Sequence, residues 1–144
     1  MNEKKIEEAI KFAEKKHEGQ LDDNSLPYVY HCFRVANILR IVTDNDEIVI
    51  AGYLHDTIED TNTTYEELVE NFGKRVADLV MEVTEEGKKD NIGFYFPRLK
   101  TREGIMIKFA DRLDNLSRMQ NWTEERKAHY LKRSKFWKSE PQHI

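Results

Sequence analysis

The 144 residues include one cysteine, three prolines and six glycines. A lone cysteine, Cys32, excludes an internal disulfide and any zinc site built from several cysteines. It fits a reducing compartment, so a cytoplasmic location is expected. No stretch approaches the roughly 18 consecutive apolar residues of a membrane helix. The opening MNEKKIEEAIKFAEKK has no continuous apolar run, so a secretory leader is not expected. An excess of cationic charge is also missing. There are 23 Lys+Arg against 27 Asp+Glu, a net of -4, and the pI is near 5.8. That balance argues against general nucleic-acid binding. What the chain does have is 7 Phe, 6 Tyr and 2 Trp within a 39% hydrophobic composition, enough for one core. The length suits a single domain over residues 1–144. Charge is uneven: Gln120 to the end carries 6 Lys+Arg against 3 Asp+Glu, whereas the first 119 residues carry 17 against 24. A basic C-terminal helix over about 121–138 is expected, either as a solvated face or as an edge beside an anionic ligand.

With so few breakers, the apolar spacing reads as helical almost throughout. Ile6, Ile10 and Ala13 form one stripe, and Glu18-Gly19-Gln20 ends that helix. Pro27 is placed to open a second helix, which carries Val35, Ile38, Leu39 and Val42. Ile48 to Leu54 is nearly all apolar. Periodicity alone does not separate strand from helix there, and helical neighbours favour a helix. Thr63 and Glu66 read as a capping box, followed by Leu68, Phe72, Val76, Leu79, Val80 and Val83 with Gly73 as a joint. Residues 84–97 are polar and mixed, the expected mobile loop. Ile105, Phe109, Leu113 and Leu116 define a long helix. The expectation is an all-α, compact bundle of about six helices, with no confident strand.

Several side chains stand out chemically. His55-Asp56 ends the apolar run, where two ionisable groups are costly unless paired, hydrated or bound to metal. Imidazole plus carboxylate suits a borderline divalent ion such as Mn, Fe or Zn. Asp111 and Asn115 are four apart and share a helix face. Asp111 is a candidate remote ligand or a surface residue beside Arg112, and Asn115 a candidate donor to a substrate oxygen. His31, alone on the second helix, reads as a satisfied structural histidine or as a ligand. Glu59-Asp60 reads as a proton acceptor for an attacking water or as a solvated turn.

Taken together, FAEKKHEGQ (residues 12–20), PYVYH (27–31), LHDTIEDTNTT (54–64), FGKRVADLVMEVT (72–84) and KFADRLDNL (108–116) resemble the HD-domain metal-dependent phosphohydrolases. Within that superfamily the chain is similar to the SpoT-type hydrolase domain and its small stand-alone relatives. The matching stretches cover most of residues 5–119. The resemblance implies an all-helical HD domain and Mn2+, or another divalent transition ion, held by His31, His55, Asp56 and Asp111. It implies hydrolysis of the 3′-pyrophosphate of ppGpp and pppGpp, with Glu59 and Asp60 positioning and activating the water. Asn115 would line the nucleotide site, with Tyr28, Asn24 and Arg118 near it. The partner would be a small-molecule nucleotide, with neither nucleic acid nor membrane expected.

Four positions depart from that pattern, one of them Asn24, where a Ser is frequent. Where SpoT-like domains usually carry Arg-Lys, this chain has Asp22-Asp23, which reverses two charges at the mouth of a site for an anionic substrate. Where a Thr is common, it has Arg118, which could return positive charge. These departures keep a rival enzyme in view, acting on another nucleotide such as NADPH or an adenine nucleotide. From a different class, a non-catalytic nucleotide-binding module and a structural helical adaptor are the alternatives.

Overall fold

The computed structural model describes residues 2–89, 95–97 and 99–133. Helix α1 spans Glu3–Lys16, and its first turn is closed by Asn2, whose side chain accepts from the Lys5 N–H. Ile6, Ala9 and Ala13 are fully buried along one side, so the expected stripe is present with Ala9 added. α2 runs Val29–Val42 and buries His31, Cys32, Val35, Ala36 and Leu39. Val42, read as part of its apolar stripe, is instead exposed.

The run Ile48 to Leu54 is a helix. α3 spans Asp46–Leu54, starts on the Asn45 side chain, and buries every residue from Ile48 to Leu54. It packs against α1 and α2 and, from later in the chain, against 74–83 and 102–116. Being covered on all sides, it has no polar face, which is why periodicity could not assign it. Gly52 lets it approach α2 closely, since a Cβ there would lie 2.5 Å from Leu39 Cδ1. Thus the two helices that carry His31 and lead into His55 are held in close register.

A single turn, α4 (Thr57–Asp60), follows, then α5 (Tyr65–Phe72) and α6 (Lys74–Val83). The joint at Gly73 has φ +94°, a left-handed conformation that favours glycine. The α5 cap is Thr64, whose Oγ1 accepts from the Glu67 N–H at 3.1 Å. The expected Thr63–Glu66 box is therefore displaced by one residue, because Thr63 is buried and its hydroxyl is paired with Thr61 at 2.6 Å.

Two short antiparallel strands, β1 (Glu85–Lys89) and β2 (Tyr95–Pro97), occupy the segment read as a loop; residues 90–94 lie outside the described residues. α7 (Arg102–Leu116) is anchored by the buried Glu82, which accepts from the Lys100 and Thr101 N–H groups at 2.9 Å each. The face of α7 turned inward is not the expected apolar stripe. Ile105, Phe109 and Leu113 are 38%, 43% and 57% exposed, while Ile107, Ala110, Asp111, Arg112 and Asp114 are buried. The helix is rotated so that its carboxylates meet the imidazoles of the core. α8 (Glu124–Arg133) begins at Thr123, whose Oγ1 accepts from the Arg126 N–H. The expected continuation to 138 lies outside the described residues. The molecule is thus all-α apart from the strand pair, with eight helices among the described residues rather than about six. No described helix is long and apolar enough to cross a membrane.

Candidate metal centre and adjoining cleft

α2, the end of α3 and α7 bring four buried side chains to one point. His31, His55, Asp56 and Asp111 each offer a ligand atom, and the four atoms lie within 4.8 Å of one another. Nε2 of His31 and of His55 stand 3.0 and 3.2 Å from Asp111 Oδ1. His55 Nε2 is 3.1 Å and His31 Nε2 3.6 Å from Asp56 Oδ2.

The far side of each ring is held as well. His55 Nδ1 is 2.8 Å from the Gly52 carbonyl. Only a protonated Nδ1 can donate there, which turns Nε2 toward the centre. His31 Nδ1 is 2.7 Å from Asp114 Oδ2, and Asp114 Oδ1 accepts from Arg34 Nε at 2.7 Å. Tyr28 donates its hydroxyl to Asp56 Oδ2 at 2.6 Å. Two imidazole nitrogens and two carboxylate oxygens, buried and oriented by outer partners, fit a divalent transition ion.

The electrostatics of the metal-free cluster agree. Burial by itself lowers the pKa of His31, but hydrogen bonds to Asp111 and Asp114 and the charges of Asp111 and Asp56 outweigh it, leaving the ring raised to about 9. His55 is also raised despite burial, through Asp56 and Asp111. Burial opposes ionisation of Asp56 and Asp111 too, yet both are held well below the usual carboxylate range by the two histidines. Without an ion, the cluster therefore holds protons where a metal would sit.

This has a measurable consequence. Raised above its unfolded value of 6.5, His31 contributes stability that is fully present below pH 6.5 and is lost as pH rises through about 9. A bound ion must displace that proton. Titration of Mn2+ into metal-free protein should release protons at pH 7, and affinity should tighten from pH 6 toward pH 9. Calorimetry in two buffers of different ionisation enthalpy reads both. Affinity independent of pH would remove the imidazoles from the ligand set.

Glu59 and Asp60 lie on α4, directly after the His-Asp pair. Asp60 is exposed at the surface, yet partial desolvation beside the buried cluster, and then the charges of Asp56 and Glu59, push its carboxyl up to about 7. A carboxylate poised there is suited to accepting a proton near neutral pH. Its main-chain carbonyl accepts from Gln20 Nε2 at 3.0 Å, and Gln20 Oε1 is 2.8 Å from Nδ1 of the buried His17.

A cleft opens beside the cluster. Tyr28, His31, Arg34, Asn115 and Arg118 line it, together with Leu21, Asp22, Asp23, Asn24 and Trp122. Asn115 donates to the Tyr130 hydroxyl at 2.7 Å, and Asn24 Oδ1 accepts from Asn121 at 2.7 Å. The structure therefore groups all four proposed substrate contacts (Tyr28, Asn24, Asn115 and Arg118) around one cleft. The supporting residues His17, Asp114 and Tyr130 were not singled out in the sequence. Asp114 had a readable signal, since it lies three residues after Asp111 and so near the same helix face. His17 had its place in FAEKKHEGQ. Tyr130 had none.

The residues assembled at this centre define a class. An HD-domain family model matches residues 9–92. The chain belongs to the HD-domain family, and its relatives there are of the SpoT-like kind. It is 40% identical over 135 residues to a guanosine-3′,5′-bis(diphosphate) 3′-pyrophosphohydrolase of Aquifex aeolicus (strain VF5), covering 88% of this chain and 19% of that protein. The chain thus spans about a fifth of that relative's length. It is 33% identical over 142 residues to guanosine-3′,5′-bis(diphosphate) 3′-pyrophosphohydrolase MESH1 of Drosophila melanogaster, covering 88% of this chain and 79% of that one. A solved structure of a metazoan SpoT ortholog that hydrolyses ppGpp superposes with a TM-score of 0.78 at 29% identity, over 92% of this chain and 82% of that one.

Proposed function

We propose that this chain is a metal-dependent hydrolase that removes the 3′-pyrophosphate of ppGpp and pppGpp, giving GDP or GTP and pyrophosphate. The observation that carries this reading is the convergence of His31, His55, Asp56 and Asp111 within 4.8 Å, beside a carboxylate at Asp60 and a cleft with cationic side chains. The relatives named above support the substrate. The reading takes residues 1–144 as one HD domain acting in the cytoplasm, with Mn2+ as the ion. When bound, such an ion acidifies water and offsets charge on phosphoryl oxygens. The chain's own residues do the rest. Asp60, with Glu59 beside it, takes the proton of the attacking water. Asn115, Asn24 and Tyr28 orient the nucleotide in the cleft, and Arg118 sits against its phosphates. No serine or cysteine nucleophile is needed; Cys32 is buried, and burial raises its thiol pKa well above the ordinary value.

The charge reversal at Asp22 and Asp23 is less hostile to an anion than the sequence suggests. Asp23 Oδ2 accepts from Arg126 at 2.8 Å and from Trp122 Nε1 at 3.1 Å, so its charge is already matched. The test is chromatography of products after incubating Mn2+-loaded protein with ppGpp, with NADPH and adenine nucleotides in parallel. GDP and pyrophosphate are expected. Turnover of NADPH or an adenine nucleotide but not ppGpp would favour the rival enzyme. Tight ppGpp binding without turnover would favour a binding module.

A further inference from the structure

We infer that Asp22 is the base-reading residue of this cleft, selecting guanine through the two donors on its Watson–Crick edge. The inference rests on the proposed nucleotide hydrolase and names what sets its base preference.

The cleft is unevenly charged. α2 and the α7 end of the chain contribute Arg34, Asn115 and Arg118, which are cationic or able to donate, with Asp114 behind the two arginines. The loop before Pro27 contributes Leu21, Asp22, Asp23 and Asn24, and Trp122 stands with them. That loop is clasped to the start of α8. Asn121 donates to Asn24, Trp122 Nε1 donates to Asp23, and Arg126 pairs with Asp23 while stacking 3.7 Å from the Trp122 ring centroid. Phosphates belong with the cations and away from Asp22. The neutral base is then the part of the nucleotide that meets the loop.

Asp22 is held for that role in a way Asp23 is not. Its Oδ1 accepts from the N–H groups of Asn24 and Leu26 at 2.8 and 3.0 Å. Both bonds go to one oxygen, and they fix the carboxylate on the loop before any ligand arrives, which lowers the ordering cost on binding. A carboxylate can only accept, so the base edge it favours is one that donates. Guanine presents N1–H and N2–H2 side by side. Hypoxanthine keeps only N1–H. Adenine offers an acceptor at N1, which a carboxylate repels. A site built to accept such donors rejects an analogue that lacks one.

The test compares binding of GDP, inosine 5′-diphosphate and ADP to the Mn2+-loaded full chain by calorimetry, for wild type and Asp22→Asn. The asparagine keeps an oxygen for the turn and can place an amide N–H2 in place of the second oxygen. Wild type should prefer GDP over inosine 5′-diphosphate by about tenfold or more, the scale of one hydrogen bond to a charged group lost with the N2 amino group. In Asp22→Asn that ratio should fall toward one. A thermal melt checks that the variant is folded. Equal or absent binding of the two diphosphates by wild type, or an unchanged ratio in the variant, overturns the inference. Turnover of ppGpp together with equal binding would remove the base reader and leave the hydrolase. Guanine preference lost in Asp22→Asn, with no ppGpp turnover in wild type, would do the reverse.

Discussion

Asp56→Ala should lose the ion and with it at least about a thousandfold in turnover, because water away from a divalent cation is far less acidic and the charge on the phosphoryl oxygens is no longer offset. Asp56 occupies a shared position. Its Oδ2 faces both imidazoles and receives the Tyr28 hydroxyl. Removing it takes away one of four candidate ligand atoms and leaves His55, which is almost completely buried, short of its nearest carboxylate. Breaking one side of a buried charged pair costs on the order of 3–5 kcal/mol, so the alanine variant should also melt earlier. Asp56→Asn separates the two effects. It preserves shape and much of the local hydrogen bonding, so it should fold better than the alanine while still binding the ion poorly. Metal content by elemental analysis, read beside product formation, is the measurement. An Asp56→Ala protein with full metal content and wild-type turnover would remove the site assignment.

Asp60→Asn should behave differently, keeping the ion and losing rate. Asp60 is not among the four converging ligands, and its carboxyl, exposed at the surface yet pushed up to about 7 by partial desolvation and by the charges of Asp56 and Glu59, is suited to accept a proton near neutral pH. Removing a general base typically costs about 10²–10⁴ in rate. Asparagine keeps the size of the side chain and cannot take the proton, while the main-chain bond from Gln20 is untouched. Glu59→Ala should likewise retain the ion and lose rate, by less if Asp60 is the acceptor. Single-turnover rates with metal content measured on the same samples distinguish these roles. Equal loss of the ion in either variant would recast that residue as a ligand or a structural support.

The legible part of this protein lay in short-range pattern. Residues 3–4 apart share a helix face, and that periodicity marked the first two helices and the region around Gly73. The His-Asp pair at the end of an apolar run, and a distant aspartate on another helix, announced a candidate metal centre, and the resemblance supplied its members. The stripe Ile105, Phe109 and Leu113 misled because periodicity reports which residues are apolar, not which direction a helix is turned. α7 is turned by what its carboxylates meet, namely His31 and His55, 80 and 56 residues away from Asp111. The cap at Thr64 instead of Thr63 has a similar cause, since either threonine satisfies the pattern until burial assigns one to Thr61.

By itself, then, the sequence determined a chiefly helical chain without its strand pair, the approximate place of most of its helices, and the residue types for binding a divalent ion, because these depend on spacing and side-chain chemistry within a few turns. Tertiary structure alone decided the orientation of α7, the bond to Asp114 that directs the His31 ring, and the pairing of Asp23 with Arg126 across 103 residues. Each of these is a contact between segments far apart in the chain. Such contacts are selected by how whole helices pack and by which buried charges must find partners, information that no local window of residues contains.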